Sequence, residues 1–542
     1  MPEIYAGVER VTAHAPATHR SVLRTHAFTI FCIATAAASF VIDAFLLPPS
    51  FGATDIYYFK DAGINFAEGL GLVSRFTFGN PTFEYHSYSQ YPPVYPLLFG
   101  LFVKVFGASV LSNQVFNSTI ALCTAVAAYF VFRPLLALSS SKAAAWLPFA
   151  VFALLVFIGY FHAEYDRPDS LGVALGLLAL ILVGKSKSMR ADVAAGCACA
   201  LALIISPFAG IWSSVAVAIV VVADAVLAQE PTRVPARIGF IAAGAVLTLA
   251  AAASLIAIFL PGWFDAFAGV ATGSKTQNET GGGYFVALLH GDYKAWASGI
   301  PWKHPEFLMT VGKLLMVQIP LLVAAIREAR IGEGRFQGLG IVVLLAASPL
   351  SIVLSPYQLN YVGMTAALLL AGAACLAIRM APRVRTGYAT AIFAGLFLMG
   401  CTCLPLHLQQ MVVRGGAHDS LIRARTYIAL NRHTYQSSGK FIAVASQTYM
   451  LWRESGVRPL TLGYSGFDAS DNRRVLSWIA AAYPGSGKPS EPQKPKWLSQ
   501  EEYALDFQPQ LPQPAKFLDL WTSHSSETWE SAIYRRVDDA HR

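Results

Sequence analysis

The fold of this chain is decided by an apolar stretch near its start, residues 27–47, which reads AFTIFCIATAAASFVIDAFLL. A helix of about 20 apolar residues crosses the roughly 30 Å hydrocarbon core of a bilayer. Comparable stretches recur up to Leu404, and 55% of the 542 residues are hydrophobic while only 13% are charged. Soluble domains carry about 25% charged residues. The sequence therefore predicts a polytopic helical membrane protein.

We predict eleven membrane-spanning helices, joined by connections of unequal length. Their approximate bounds are 27–47, 111–132, 143–160, 170–184, 191–205, 210–228, 238–260, 307–326, 338–354, 361–378 and 387–405. Lys and Arg are concentrated in the short connections on the N-terminal side, such as 185–190 and 379–385. Because cytoplasmic loops carry the excess of positive charge, the N-terminus is expected inside. An odd number of spans then places the C-terminus outside.

The chain divides into three parts. These are a cytoplasmic tail at 1–26, a transmembrane domain at 27–405 with long exported loops at 48–110 and 261–306, and a soluble extracytoplasmic domain at 406–542. In the last part a polar helix at 418–436 and a strand at 441–445 indicate a small α/β unit. The predicted fold class is an all-α polytopic membrane protein with this small C-terminal domain.

The two exported loops differ in character. In the first, residues 62–69 predict a helix that ends near Gly69 or Gly71, and 97–106 are apolar but too short to cross a membrane. We expect the second of these to lie in the interface, with Lys104 reaching toward water. The other loop contains three consecutive glycines at 281–283, which indicate either a substrate lid or a slack connection.

Two groups of acidic residues lie just beyond apolar spans, and both fall on the predicted exported side. Asp55 follows the first span, and Glu164, Asp166 and Asp169 precede the fourth. Carboxylates at a lipid boundary are costly and tend to mark function. The arrangement predicts a catalytic pocket that opens outward. Asp43, inside the first span near its outer end, is a rival to Asp55.

With these motifs the chain resembles the GT-C superfamily of polytopic glycosyltransferases, over roughly residues 27–380. That superfamily includes protein mannosyltransferases, aminoarabinose transferases and bacterial core-sugar transferases. The matching residues, in chain order, are Asp55, Tyr57 and Tyr58, the segment 91–96 before the interfacial helix, and Arg167-Pro168-Asp169. The resemblance implies a polyprenyl phosphate sugar donor and Asp55 as the catalytic base. The second acid aligns best on Asp169, with Asp166 and Glu164 as alternatives.

Several side chains are candidates to bind the substrates. Fixed cations stabilise a leaving phosphate, which favours Arg75, His86, Arg167, Lys303 and His304. The resemblance further implies substrate-binding roles for Tyr57, Tyr58, Tyr91 and, late in the chain, Tyr357 or Tyr361. A divalent cation, Mg²⁺ or Mn²⁺, held by Asp55, Asp166 and Asp169 is an alternative to side-chain cations. Asp166 and Asp169 also flank Pro168, a pattern typical of a helix start, so one of them is expected to cap the helix.

The predicted activity is transfer of one sugar to a lipid, glycan or protein acceptor on the outer face of the membrane. A lone carboxylate base that activates the acceptor for direct displacement predicts inversion at the anomeric carbon. The alanine-rich composition favours a bacterial cytoplasmic membrane. The net charge of +8 follows from the loop pattern, so the predicted partners are the two substrates and membrane lipids, and no nucleic acid. The alternatives are a lipid-linked sugar transporter or flippase, and a noncatalytic envelope scaffold.

Overall fold

A computed structural model of the chain shows a bundle of apolar helices with a small mixed sheet near the C-terminus. The structure describes residues 19–46, 59–77, 80–89, 91–136, 146–157, 167–185, 188–227, 232–267, 305–331, 335–354, 359–378, 387–398, 400–401, 404, 418–437, 441–444, 449–461, 476–483, 503–507 and 530–536.

The elements follow one another in a simple order. They are α1 (His19–Val41), a π-helical turn (Ile42–Leu46), α2 (Asp61–Ala67), β1 (Val73–Thr77), β2 (Asn80–Ser87), α3 (Val94–Phe106), α4 (Val110–Leu136), α5 (Leu147–Phe157), α6 (Asp169–Lys185), α7 (Met189–Ile205), α8 (Pro207–Leu227), α9 (Arg233–Phe259), α10 (Pro305–Ile331), α11 (Arg335–Leu354), α12 (Leu359–Ala377), α13 (Gly387–Leu398), α14 (His418–Ser437), β3 (Phe441–Val444), α15 (Tyr449–Glu454), β4 (Leu460–Thr461), β5 (Leu476–Tyr483), β6 (Tyr503–Phe507) and β7 (Glu530–Arg536).

Each predicted span contains a helix. Within the described ranges, four helical segments are long and apolar enough to cross a membrane by length and composition: His26–Leu46, Val110–Pro134, Pro207–Ala225 and Arg233–Phe259. Further apolar helices are shorter. The chain is therefore a membrane protein, while eleven crossings and the orientation of the termini stay predictions.

The core of the bundle is aliphatic and closely packed. Leu177 and Leu180 of α6 lie against Leu368 of α12 and their neighbours, all fully buried. Helices α7 and α9 approach through Gly196 and Gly244, where an added Cβ would overlap the Ile241 and Val193 carbonyl oxygens. Small residues allow this approach because membrane helices associate by van der Waals contact.

The long loop between the first two predicted spans contains more regular structure than the sequence predicted. Helix α2 ends before Gly69 and Gly71, whose φ angles of 83° and 85° suit glycine. Strands β1 and β2 then pair as an antiparallel hairpin that sequence analysis missed. Helix α3 occupies the predicted interfacial segment and has Lys104 in its last turn.

The C-terminal region packs directly on this loop. Its sheet has the strand order β4-β3-β5-β7-β6, in which β3 is parallel to β4 and β5. Tyr449 and Trp452 of α15 share one hydrophobic cluster with Phe59, Tyr95 and residues of α4. The loop and the C-terminal segment therefore form one buried core.

Candidate functional site

Asp169, the second acid of the sequence motif, is built into the bundle at the first residue of α6. Its side chain is fully buried, and Oδ1 accepts a hydrogen bond of 2.5 Å from Ser206 Oγ. Its Oδ2 accepts one of 2.8 Å from Nε of Arg167. Charge-assisted bonds of this length hold both partners in one orientation. In this structure Asp169 therefore fixes the position of Arg167.

Arg167 and Tyr91, two of the predicted binding residues, meet at one aromatic ring. The Arg167 guanidinium carbon lies 5.6 Å from the ring centroid of Phe59. Tyr91 meets the same ring edge to face, with centroids 4.9 Å apart. The Arg167 side chain keeps 13% of its surface exposed. A partly exposed guanidinium on an aromatic face is suited to bind an anion.

Lys60 is a buried cation that sequence analysis did not single out as a candidate. Its side chain is 0% exposed, and Nζ donates hydrogen bonds of 2.6 Å to Oδ1 of both Asn113 and Asn117. The same ammonium lies 4.8 Å from the ring centroid of Phe99. The signal in the sequence was the pair of asparagines four residues apart, which share one face of α4.

A second buried network joins α2 to α15. The carboxylate of Asp61 accepts hydrogen bonds from Ser74 Oγ at 2.7 Å and from Asn65 Nδ2 at 3.2 Å. The Tyr449 hydroxyl donates a short hydrogen bond to the other oxygen of Asp61. A buried carboxylate requires such donors to offset its loss of solvation. Tyr449 of the C-terminal region therefore supplies one of the hydrogen-bond donors to the buried carboxylate of Asp61.

Arg453 extends this network toward the surface. It donates to Asn65 Oδ1 at 2.9 Å and pairs with Glu68 at 3.0 Å, and Arg458 pairs with Glu68 at 2.9 Å. Burial lowers the pKa of Arg453, but Tyr449, Asp61 and Glu68 raise it, and the balance lies above the ordinary value. Arg453 therefore remains a cation at every physiological pH.

The hairpin places the predicted residues Arg75 and His86 on neighbouring strands. The Arg75 guanidinium carbon lies 4.2 Å from the Tyr85 ring centroid, and His86, which is exposed, is paired in register with Ser74. Both residues thus lie on the β1–β2 hairpin, which is linked to α15 because Ser74 and Tyr449 both donate hydrogen bonds to Asp61.

The remaining site predictions fall outside the described residues. They are Asp55, Tyr57, Tyr58, Glu164, Asp166, Lys303, His304 and Tyr357. Within the described ranges, no group of three or more His, Cys, Asp or Glu side chains is arranged to hold a metal ion. The divalent cation at Asp55, Asp166 and Asp169 stays a prediction, and Asp169 already neutralises a guanidinium.

No protein-family model matches the chain, and no curated protein matches it either. Among solved structures, it is similar to ArnT from Cupriavidus metallidurans bound to undecaprenyl phosphate, with a TM-score of 0.47, 12% identity, and coverage of 94% of this chain and 98% of that one. It is also similar to the archaeal oligosaccharyltransferase AglB from Archaeoglobus fulgidus in complex with an inhibitory peptide and a dolichol-phosphate, with a TM-score of 0.47, 14% identity, and coverage of 84% and 69%. The chain is only 12% and 14% identical to these two structures, and its resemblance to the GT-C superfamily continues to rest on the sequence motifs.

Proposed function

We propose that this chain is a membrane glycosyltransferase that moves a sugar from a polyprenyl phosphate carrier to an acceptor on the outer face of the membrane. The observation that carries the proposal is the contact between Arg167 and Phe59, 5.6 Å from guanidinium carbon to ring centroid.

This contact brings together two residues that lie close in the sequence to the two acidic motifs. Phe59 follows Asp55 by four residues, and Arg167 directly follows Asp166. Since an extended chain spans at most about 3.6 Å per residue, the Cα atoms of Asp55 and Phe59 can be at most about 14 Å apart. Convergence of the two carboxylate groups on one mouth, which the sequence predicted, is supported by this connectivity.

In the proposed reaction Asp55 takes the proton of the acceptor hydroxyl, and the acceptor oxygen attacks the anomeric carbon of the sugar. The bond from that carbon to the phosphate oxygen breaks, and the electron pair leaves with the phosphate. Arg167, held by Asp169, meets the developing negative charge. Direct displacement inverts the anomeric configuration.

The other candidates have supporting roles. Tyr57, Tyr58 and Tyr91 would stack on the sugar, while Glu164 or Asp166 remain alternatives as the second acid. Further contacts with the polyprenyl phosphate sugar are proposed for Arg75, His86, Lys303, His304 and Tyr357. With a monophosphate as leaving group, side-chain cations suffice, and Mg²⁺ or Mn²⁺ takes no step in this scheme.

A buried ionic cluster bears on the transporter alternative. Arg237 of α9 pairs with Asp192 of α7 at 2.8 Å and with Asp224 of α8 at 3.2 Å. Sequence analysis had recognised no such charges within the spans. All three lie in the end turns of their helices, whereas transporters bind their substrates near the bilayer midplane. The cluster is therefore better explained as a joint between helices.

The proposal is tested by comparing envelope lipids and glycans of cells with and without the protein. We expect one glycan or lipid to lose a single sugar residue in its absence. The purified full-length chain in proteoliposomes should then form that glycosidic bond from a radiolabelled polyprenyl phosphate sugar. Movement of the labelled donor across the vesicle membrane without bond formation would instead identify a transporter or flippase.

A further inference from the structure

Helix α14 in the C-terminal region has two unlike faces. Its inner face, formed by Ala424, Ile428 and Tyr435, is buried against the protein. At 3.6 residues per turn, Ile422 and Leu430 lie on the opposite side of the helix, and Leu430 keeps 77% of its surface exposed. A single exposed leucine is common in folded proteins, so the meaning of this outer face depends on what surrounds it.

Two exposed arginines border the outer face. Arg423 and Arg432 are nine residues apart, which is about two and a half turns, so they lie at opposite edges of that face. Among the described residues neither of them forms an ion pair, whereas Arg425 pairs with Glu454 at 2.7 Å. An apolar centre with basic edges is typical of helices that lie on a bilayer surface.

The position of α14 is fixed by the start of a membrane-spanning helix. The backbone N–H of Val110 donates to Glu454 Oε2 at 3.0 Å, and Glu454 Oε1 pairs with Nε of Arg425. Val110 is the first residue of α4, and the segment Val110–Pro134 is long and apolar enough to cross a membrane. One carboxylate therefore links α14 to the end of a predicted span.

Exposed apolar side chains lie on both sides of this anchor. Val105 and Phe106 at the end of α3 are exposed, and so is Leu111 in the first turn of α4. Exposed apolar surface of this kind is stabilised by hydrocarbon rather than by water. We therefore expect the boundary of the bilayer beside Val110, at the level where Glu454 holds α14. Long arginine side chains at that level reach lipid head groups.

Charge favours one occupant of the outer face over the others. The ranges 418–437 and 449–458 together contain five arginines and only two acidic residues. A second copy of this chain would bring the same excess of positive charge to the face, which disfavours a symmetric contact. A soluble polyanion would leave Ile422 and Leu430 in water. An anionic lipid surface satisfies both parts, because its phosphates bind guanidinium groups and its acyl boundary accepts apolar side chains.

We infer that the outer face of α14 binds the bilayer surface, with Arg423 and Arg432 on the phosphates of anionic lipids. Ile422 and Leu430 then lie at the boundary between head groups and acyl chains. The inference does not depend on sugar transfer. Because Tyr435 packs edge to face on Trp452 of α15, with ring centroids 4.9 Å apart, the same contact holds the C-terminal region at the membrane.

The test uses the full-length protein with the photoreactive amino acid p-benzoylphenylalanine in place of Leu430. The protein is placed in nanodiscs of phosphatidylglycerol and phosphatidylcholine in equal amounts, irradiated, and analysed by mass spectrometry. We expect adducts with phosphatidylglycerol to exceed those with phosphatidylcholine by at least about fivefold, which corresponds to about 1 kcal/mol for one arginine at an anionic surface. Arg423→Gln combined with Arg432→Gln should bring the ratio to about one, and high salt should lower it.

Two controls separate this contact from general lipid exposure. The same photoreactive residue in place of Leu247, which is exposed in the middle of α9, should label both lipids equally. Arg133→Gln, at the other end of α4, should leave the ratio at position 430 unchanged. Three results would overturn the inference: no lipid adduct at position 430 while position 247 is labelled, equal labelling of both lipids at position 430, or cross-links to a second copy of the chain. A preference that survives the double arginine variant would also contradict it.

Discussion

Tyr449 donates a hydrogen bond to Asp61, and the two residues are 388 positions apart in the chain. Their contact joins the long loop between the first two predicted spans to the C-terminal region. On the loop side, Asp61 directly follows Lys60 and Phe59, the residues that meet α4 and Arg167. The C-terminal segment is therefore part of the scaffold of the candidate site, and deletion of 410–542 should abolish activity through misplacement of the loop.

Replacing Tyr449 tests this joint directly. Tyr449→Phe leaves one oxygen of the buried Asp61 carboxylate without its donor, so we expect a loss of about 1–3 kcal/mol in the free energy of unfolding. Tyr88→Phe is the matched control, because Tyr88 is equally buried and its hydroxyl has no hydrogen-bond partner among the described residues. Burial raises the pKa of Tyr88 well above its ordinary value, so this phenol stays neutral. Thermal unfolding of both purified variants measures the difference; equal melting temperatures would contradict the prediction.

Asp55→Asn should abolish sugar transfer without loss of folded protein, because the amide cannot take the acceptor proton. Glu84→Gln removes an exposed carboxylate of the same loop and should leave transfer unchanged. The measurement is initial rate of transfer alongside size-exclusion behaviour. Full activity of the Asp55 variant would remove the proposed base.

Arg167→Lys keeps the charge but loses the planar group that stacks on Phe59 and bonds to Asp169. We expect transfer to fall about 10-fold to 100-fold, corresponding to one charge-assisted hydrogen bond. Arg133→Lys is the control, since Arg133 lies 5.9 Å from the Tyr129 ring at the other end of α4. If both variants lose the same activity, the effect is not specific to the site.

Arg237→Met should destabilise the bundle strongly. It would leave Asp192, which is nearly fully buried, without the cation that pairs with it in the described structure, at a cost of about 3–5 kcal/mol. Arg190→Met, at an exposed position of α7, is expected to have little effect. Yield of monodisperse protein and thermal unfolding in detergent distinguish the two. A normal melting temperature for Arg237→Met would show that the cluster is not a joint.

Gly196→Ala should separate α7 from α9, because the new Cβ would overlap the Ile241 carbonyl oxygen. Overpacking of this kind costs about 1–3 kcal/mol. Gly239→Ala is a matched control on α9, where an added Cβ meets nothing within 4 Å. It should be neutral or stabilising by up to about 1 kcal/mol. Thermal unfolding of both variants measures the difference. Gly196→Ala should have the lower melting temperature, and the reverse order would contradict the prediction.

Elements determined by local pattern could be predicted from the sequence. Long apolar runs located the helices, and the glycines at 69 and 71 located the end of α2. The β1–β2 hairpin was missed although Phe83 and Tyr85 alternate with polar residues in β2, because the partner strand β1 shows no such alternation.

The polar networks could not be predicted, because they depend on tertiary contacts. Nothing near Asp61 in the sequence indicates Tyr449, and the partners of Arg237 come from two other helices. Asp169 was recognised as a motif residue, but its bond to Ser206 depends on how α6 packs against the junction of α7 and α8.

The separation of Asp61 and Tyr449 along the chain also affects how the protein folds while it is being synthesised. At about 5–20 residues per second, the ribosome needs roughly 20–80 s to make the 388 residues between them. During that interval the loop that contains Asp61 exists without the helix that supplies its Tyr449 partner. Folding of this loop therefore finishes only after the C-terminal region has been made, and a truncated nascent chain would expose an incompletely folded loop to proteases.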